Sequence, residues 1–219
     1  MENEFERIKR LPPYVFSEVN SLKAKLRSAG KDIIDFGMGN PDMPTPEHIR
    51  RKLQETVDKP GTGRYSSSKG IPGLRKAQAK YYKRRFNVSL DPETEVIVTL
   101  GSKEGLANLA QAITSPGDII LTPNPSYPIH PYGFIIAGAS LRHLTAMDEG
   151  IFNQELFLEK LDRSIRHSVP SPKAIIVSFP SNPTAQIVDL GFYEEVVKIG
   201  LKYTYEFHPI YLVLFFKLL

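Results

Sequence analysis

Cysteine is absent from the 219 residues, which excludes disulfides and thiolate metal sites and leaves the chain compatible with a reducing cytoplasm. The first ten residues, MENEFERIKR, lack the apolar core of a secretory signal. No long hydrophobic run is present. The most apolar stretch, residues 210–219, is about half the length that spans a bilayer, and it contains Lys217. A cytoplasmic protein with no membrane segment is therefore expected. Neither charge sign dominates: 28 Lys and Arg stand against 24 Asp and Glu, and a formal charge of +4 does not by itself call for nucleic acid or an anionic membrane. Repeats and low-complexity tracts are missing. Two nucleotide signatures are missing as well. No GxxxxGK[ST] spacing occurs, and the pairs Gly37/Gly39 and Gly61/Gly63 lack the third glycine of a dinucleotide loop. The five His are scattered without metal-ligand spacing, so no metal is expected; only His130 falls near a candidate site. What is present, 41% hydrophobic and 24% charged residues, is the composition of an ordinary globular protein.

Periodicity divides the chain. A helix is expected over 17–29, with Val19, Leu22 and Leu26 on one face. Another is expected over 46–57, capped by Thr45 with Pro46 at its first position. Residues 32–46 and 59–73 read as loops. The segment LRKAQAKYYKRRF (74–86) has helical spacing at Leu74, Ala77 and Tyr81. Strands and helices then alternate: strand 95–100, helix 103–114 through Leu106, Leu109 and Ile113, strand 118–123 and strand 140–146. Helix 153–166 follows through Leu158, Leu161 and Ile165, then strand 174–180 and helix 190–203 through Phe192, Val196 and Ile199. The strands VIV, DIIL and AIIV are continuously apolar, the mark of a parallel sheet covered on both faces. The class is α/β, a doubly wound, mostly parallel sheet with flanking helices, whose ligands sit at the carboxyl ends of strands.

Three strand ends carry chemistry. TLGSKEG (99–105) runs through Gly101 into Ser102, Lys103 and a helix start, where backbone N–H groups, a hydroxyl and an ammonium suit an anion. The alternative there is a glycine turn with a serine cap. TPNPSYPIHPYG (122–133), with four prolines, reads as a rigid loop that presents Tyr127 for ring stacking, or as a surface aromatic packed on proline. SFPSNPTA (178–185) sets the Asn182 amide before Pro183, as a ligand contact or as turn chemistry. Together the three suit a phosphorylated aromatic cofactor.

The stretches DFGMGNPDMPTP, GRYSSSKGIPGLRKAQAKYYKRRFNVSLDPETEVIVTLGSKEGLANL, PGDIILTPNPSYPIHPYGFIIAGA and SFPSNPTAQIVDLGFYEEVVKIGLKY lie in order between residues 34 and 203. They resemble the class I/II aminotransferases of fold type I that use pyridoxal 5'-phosphate (PLP), and GSKEG and SNPTA are similar to the alanine and diaminopimelate branch. The resemblance implies roles. Gly101, Ser102 and Lys103 would hold the cofactor phosphate, Tyr127 would stack on the pyridine, and Asn182 would bond its phenolic oxygen. Gly39 would lie beside the substrate carboxylate. Tyr65 would reach the phosphate of a neighbouring subunit in a homodimer. Peptides before Pro125 and Pro183 are candidates for cis. The substrates implied are an amino acid and a 2-oxo acid.

Aminotransferase chemistry also needs a lysine that forms a Schiff base and moves a proton, an acid on the pyridinium and an arginine for the substrate carboxylate. In the family these follow the SNPTA motif. Beyond Asn182 this chain has no Arg, and its one Asp is Asp189, expected to cap a helix. Lys198 and Lys202 are expected to face solvent, and Lys217 lacks the Ser-x-x-Lys setting. No catalytic residue is assigned. The resemblance implies an N-terminal arm with part of a small domain over 1–45, a partial PLP-binding large domain over 46–203 and an unmatched apolar tail over 204–219, as in a truncated or frameshifted gene. The fold would then be incomplete at its C-terminus, and the apolar tail and exposed sheet predict poor solubility. The expected function is a PLP aminotransferase by descent, inactive as this chain alone. The alternatives are a non-catalytic PLP-binding or dimerising remnant that pairs with a full-length aminotransferase, and a nucleic-acid module on the basic segment Arg75, Lys76, Lys80, Lys83, Arg84 and Arg85. That segment reads as a solvated face, so no nucleic acid is expected.

Overall fold

The computed structural model describes residues 5–37, 39, 41–204 and 211–216, the last six and Thr204 by backbone alone. The chain forms two compact units, Met1–Pro12 with Leu100–Leu219, and Pro13–Thr99.

The first unit is built on a four-stranded sheet. In chain order its elements are α1 (Glu6–Lys9), α5 (Ser102–Ile113), β1 (Ile119–Pro123), α6 (Ile129–Ala137) and β2 (Ser140–Leu144). A two-stranded antiparallel ribbon follows, β3 (Met147–Asp148) with β4 (Ile151–Phe152). Then come α7 (Gln154–Arg166), β5 (Pro172–Phe179), α8 (Leu190–Thr204) and β6 (Tyr211–Phe216). The sheet order is β2-β1-β5-β6, and every pair in it is parallel. Side chains alternate across a strand, so an apolar run feeds two cores. Ile119 and Leu121 of β1 and Ile175, Val177 and Phe179 of β5 pack with Phe157, Leu161, Ile165, Phe192 and Val196 of α7 and α8. Ile120, Ala174 and Ile176 pack on the other face with Leu106, Ala110 and Phe134 of α5 and α6. The outcome is the doubly wound α/β sheet that the continuous apolar strands predict. Arg10 closes the N-terminal end of this unit by donating from Nη2 to the Ala139 carbonyl at 2.9 Å.

Several expectations are corrected. Residues 129–133, read as part of the proline-rich loop 122–133, instead open α6, which runs to Ala137. Pro131 sits in the first turn, where a missing N–H breaks no intrahelical bond. Leu109 does not join the buried stripe of α5; Leu106 and Ala110 do, one turn apart. The unmatched apolar tail contributes β6, in register with β5 from Ala174↔Tyr211 to Phe179↔Phe216. Lys217 lies outside the described residues. Asp189 caps α8 as expected, accepting from the Phe192 N–H at 2.9 Å.

The second unit holds α2 (Val15–Ser28), α3 (Glu47–Val57) and α4 (Pro72–Phe86). Pro46, not Thr45, is the N-cap of α3, and no side chain bonds to that helix start. The expected strand at 95–100 is not formed. Among the described residues no strand lies beside it, and a strand needs a ladder partner; the Val98 N–H instead bonds to the Lys69 carbonyl at 3.1 Å. Only Arg75 and Ala79 are buried among the described residues of this unit. Arg75 is therefore no part of a solvated basic face. Its guanidinium donates to the carbonyls of Pro92 at 2.8 Å and Gly70 at 2.6 Å and to Glu93 at 2.6 Å, a fork that pins two loops to α4.

Candidate functional site

β1 and β5 are neighbours and parallel, so their carboxyl ends open on the same side. The loop after β1 and the turn after β5 line one pocket, which includes Asn124, Ser126, His130, Phe152, Ser178 and Asn182. The peptides before Pro125 and Pro183 are cis, as expected, and so are those before Pro170 and Pro180.

The α5 end of the site starts at Gly101, the N-cap, with φ 86° and ψ 162°. That positive φ is what requires glycine; a Cβ there would meet open space. No side chain caps the helix from Gly101. Glu104, in the first turn, instead accepts from the Leu100 N–H just before the cap. Ser102 and Lys103 are exposed on the first turn, and the positive end of the helix dipole adds to the Lys103 charge. The site-supporting role of Glu104 was missed in the sequence; its position three residues after the cap is the capping-box spacing that signals it.

Tyr127 is half-buried in the loop after β1. The Lys103 Nζ lies over its ring, 5.3 Å from the centroid. The His130 ring meets it nearly edge-on, at 80° with centroids 6.0 Å apart, and the His130 N–H bonds to the Tyr127 carbonyl at 2.9 Å. His130 is buried, and that burial pushes its imidazole pKa down to about 4, so it is neutral at pH 7.

Asn182 stands on a turn closed several times over. The Ser181 N–H bonds to the Gln186 carbonyl at 2.9 Å, and the Ala185 N–H to the Ser181 carbonyl at 2.9 Å with Ala185 at φ 56°. The Ser181 and Thr184 hydroxyls bond to each other, and the Gln186 amide N–H donates to the Ser181 hydroxyl at 3.2 Å. The Gln186 Oε1 accepts from the Phe152 N–H at 3.4 Å, which ties the turn to β4. Asn182 thus occupies a fixed place at the pocket rim.

Of the other expected site residues, Gly39 and Tyr65 belong to the second unit. Gly39 follows a clamped segment in which Asp35 accepts from the Gly37 N–H at 2.9 Å and from Lys23 Nζ at 2.8 Å. The hydrogen bond from Lys23 is the larger cause that holds the Asp35 carboxyl below its usual range. Tyr65 is fully exposed. Lys198 and Lys202 sit on α8 with their charges on Glu195 and Asp162. Among the described residues no group of His, Asp and Glu could hold a metal ion, and no helix is long and apolar enough to cross a membrane.

A family model for aminotransferase class I and II matches residues 31–210, past the 203 limit of the quoted motifs. The glutamate-pyruvate aminotransferase AlaC of Escherichia coli (strain K12) is 52% identical over 202 residues, 92% of this chain and 48% of that protein. An LL-diaminopimelate aminotransferase of Dehalococcoides mccartyi is 38% identical over 198 residues, 90% of this chain and 50% of that protein. A solved single mutant of Thermus thermophilus aspartate aminotransferase shares the fold with a TM-score of 0.83 at 30% identity, over 99% of this chain and 53% of that one. The chain spans about half the length of the curated relatives it matches.

Proposed function

This chain belongs to the class I and II aminotransferases, on the alanine and diaminopimelate side of the family, and from that premise we propose that it forms the ring and phosphate portion of a PLP site without the groups that complete catalysis. Bound PLP supplies an electron sink for bond changes at the α-carbon of an amino acid. The observation that carries the reading is the meeting of α5 and the β1 loop, where Lys103 Nζ stands 5.3 Å from the centroid of the Tyr127 ring. A phosphate-sized anion at the α5 N-terminus and a planar ring on Tyr127 are then within reach of one ligand. The donor set fits such a ligand: a glycine cap at positive φ, a hydroxyl and an ammonium for the phosphate, and a planar aromatic for the ring. Asn182 supplies the amide for the ring oxygen. The enclosed pocket is about 20 Å³, room for a water rather than a ring, so the ring lies across its mouth.

In the same reading Gly39 lines the place of the substrate carboxylate. Tyr65, whose side chain is wholly exposed, serves the phosphate of a second copy. The full reaction of the family, transfer of an amino group between an amino acid and a 2-oxo acid, needs a lysine, an acid and an arginine that no matched motif of this chain provides.

Equilibrium dialysis tests the proposal. PLP is expected to bind, and Tyr127→Ala to weaken it about two- to tenfold. Borohydride reduction followed by peptide mapping should leave no single lysine carrying the cofactor, and no amino-acid half-reaction should occur. Stoichiometric trapping on one lysine would show a complete catalytic site, and absence of PLP binding would remove the proposal.

A further inference from the structure

The register of the β3–β4 ribbon leaves one backbone N–H outside its ladder. In an antiparallel pair, hydrogen-bonded and non-hydrogen-bonded positions alternate. The Asn153 N–H bonds to the Ala146 carbonyl at 2.8 Å, and the next pair along is Met147↔Phe152. Phe152 therefore holds a non-hydrogen-bonded position, and its N–H points out of the ribbon. Half-buried, that N–H needs an acceptor, and the Gln186 Oε1 supplies it at 3.4 Å. The donor is well anchored. The Phe152 ring packs on those of Phe179, Phe157 and Phe192, with centroids 5.0, 5.5 and 5.9 Å away.

The backbone of Gln186 closes the turn that carries Asn182. Its carbonyl accepts from the Ser181 N–H, and its own N–H donates to the Ser181 hydroxyl. Inside this closure Ala185 stands at φ 56°, a left-handed conformation that a residue with a Cβ keeps only where its surroundings hold it. Such a turn relaxes when its ties are cut. We propose that Gln186 is a positioning residue for the cofactor ring: its side chain takes its place from the aromatic core through the Phe152 N–H, and its backbone hands that place on to Asn182. The proposal rests on the reading of Asn182 as the contact of the ring oxygen, and it adds a residue that acts without touching the ligand. The bond uses one acceptor oxygen, so glutamate can replace Gln186 and methionine, of similar length, cannot.

Two measurements test this, and the first needs no ligand. A neutral hydrogen bond of this length is worth about two- to fivefold in an equilibrium constant. In Gln186→Met the Ser181 and Ala185 amides should exchange with solvent faster than in the native chain by that factor. The side-chain amide signals of Asn182, identified by their loss in Asn182→Ala, should move. The amides of β1 should keep their native exchange, which shows that the variant is folded. Gln186→Ala, which shortens the side chain without adding apolar surface, should behave as Gln186→Met does, and Gln186→Glu should match the native chain. The second measurement is equilibrium dialysis with PLP. Gln186→Met should weaken PLP by the same factor in the native background and leave it unchanged in Asn182→Ala, because a residue that acts through Asn182 has nothing to place once that amide is gone. A merely structural residue would weaken both alike. Native exchange at Ser181 and Ala185 in Gln186→Met, or equal weakening of PLP in the two backgrounds, would overturn the proposal and leave the cofactor reading. Faster exchange in a chain that binds no PLP would remove the cofactor reading, while the hold of Gln186 on the Asn182 turn would stand.

Discussion

Phe192→Ala is expected to cost the sheet unit about 3–5 kcal/mol, the range for emptying a buried aromatic position. Phe192 is 2% exposed at the start of α8. Its ring centroid lies 5.5 Å from those of Phe157 and Phe179, 5.7 Å from Tyr193 and 5.9 Å from Phe152. One ring thus joins α7, α8, the end of β5 and the β3–β4 ribbon, and no neighbour can collapse into its space without leaving another. The loss should also reach the site, because Phe179 is the last residue of β5 before the turn that carries Asn182, and Phe152 holds that turn through Gln186. Urea unfolding followed by near-ultraviolet circular dichroism measures the loss. Phe192→Leu, which keeps most of the volume, should cost less than about 1.5 kcal/mol. A loss below about 1 kcal/mol in Phe192→Ala would mean that the aromatic cluster does not hold this unit together.

Gly70→Ala is the second large effect, and it falls on the other unit. Gly70 has φ 86°, and a Cβ built there would lie 2.3 Å from Val98 Cγ2 and 2.4 Å from Val98 Cβ. A left-handed non-glycine residue and an overpacked contact each cost about 1–3 kcal/mol, so about 2–6 kcal/mol is expected in total. Val98 cannot turn aside: it is stiff at χ1, and its backbone N–H is bonded to the Lys69 carbonyl. The backbone around Gly70 is held too, since its carbonyl accepts from Arg75. Amide exchange over residues 64–73 and 91–99 should rise in Gly70→Ala while that of the sheet unit stays unchanged. Adding Val98→Ala should not rescue it, because the closest approach includes Val98 Cβ itself. Full rescue by that second change would show that only the methyl tip was in the way.

The sheet was legible because burial on both faces leaves its print in β1 and β5 as uninterrupted Ile, Leu, Val and Ala. Two ligand-bearing strand ends were legible for a related reason, since the Tyr127 loop and the Asn182–Pro183 turn each interrupt such a run with residues that serve no core; Gly101 was legible as a helix start, although the segment before it forms no strand. What single segments do not carry is which of them meet. Lys103 and Tyr127 belong to different elements, and only the packing of α5 against α6, the helix after the Tyr127 loop, brings them within 5.3 Å. Charge did not reveal burial either: Arg75 looks like its basic neighbours in the text, yet three oxygens from two loops desolvate it. The segment 95–100 has the composition of a strand, but composition supplies no ladder partner. α6 was hidden by prolines whose effect depends on a position within the helix that local pattern does not fix.

The bond from Arg10 to the Ala139 carbonyl has a temporal meaning. Its partners are 129 residues apart, and the whole of 13–99 is an insertion between them. Closing so long a detour is not much dearer than closing a short one, since each doubling of loop length adds only about 0.6 kcal/mol. The cost is delay. At about 5–20 residues per second, a ribosome leaves the first helix waiting on the order of ten seconds for the carbonyl it will bind. The helix must wait for a partner that is made 129 residues after it.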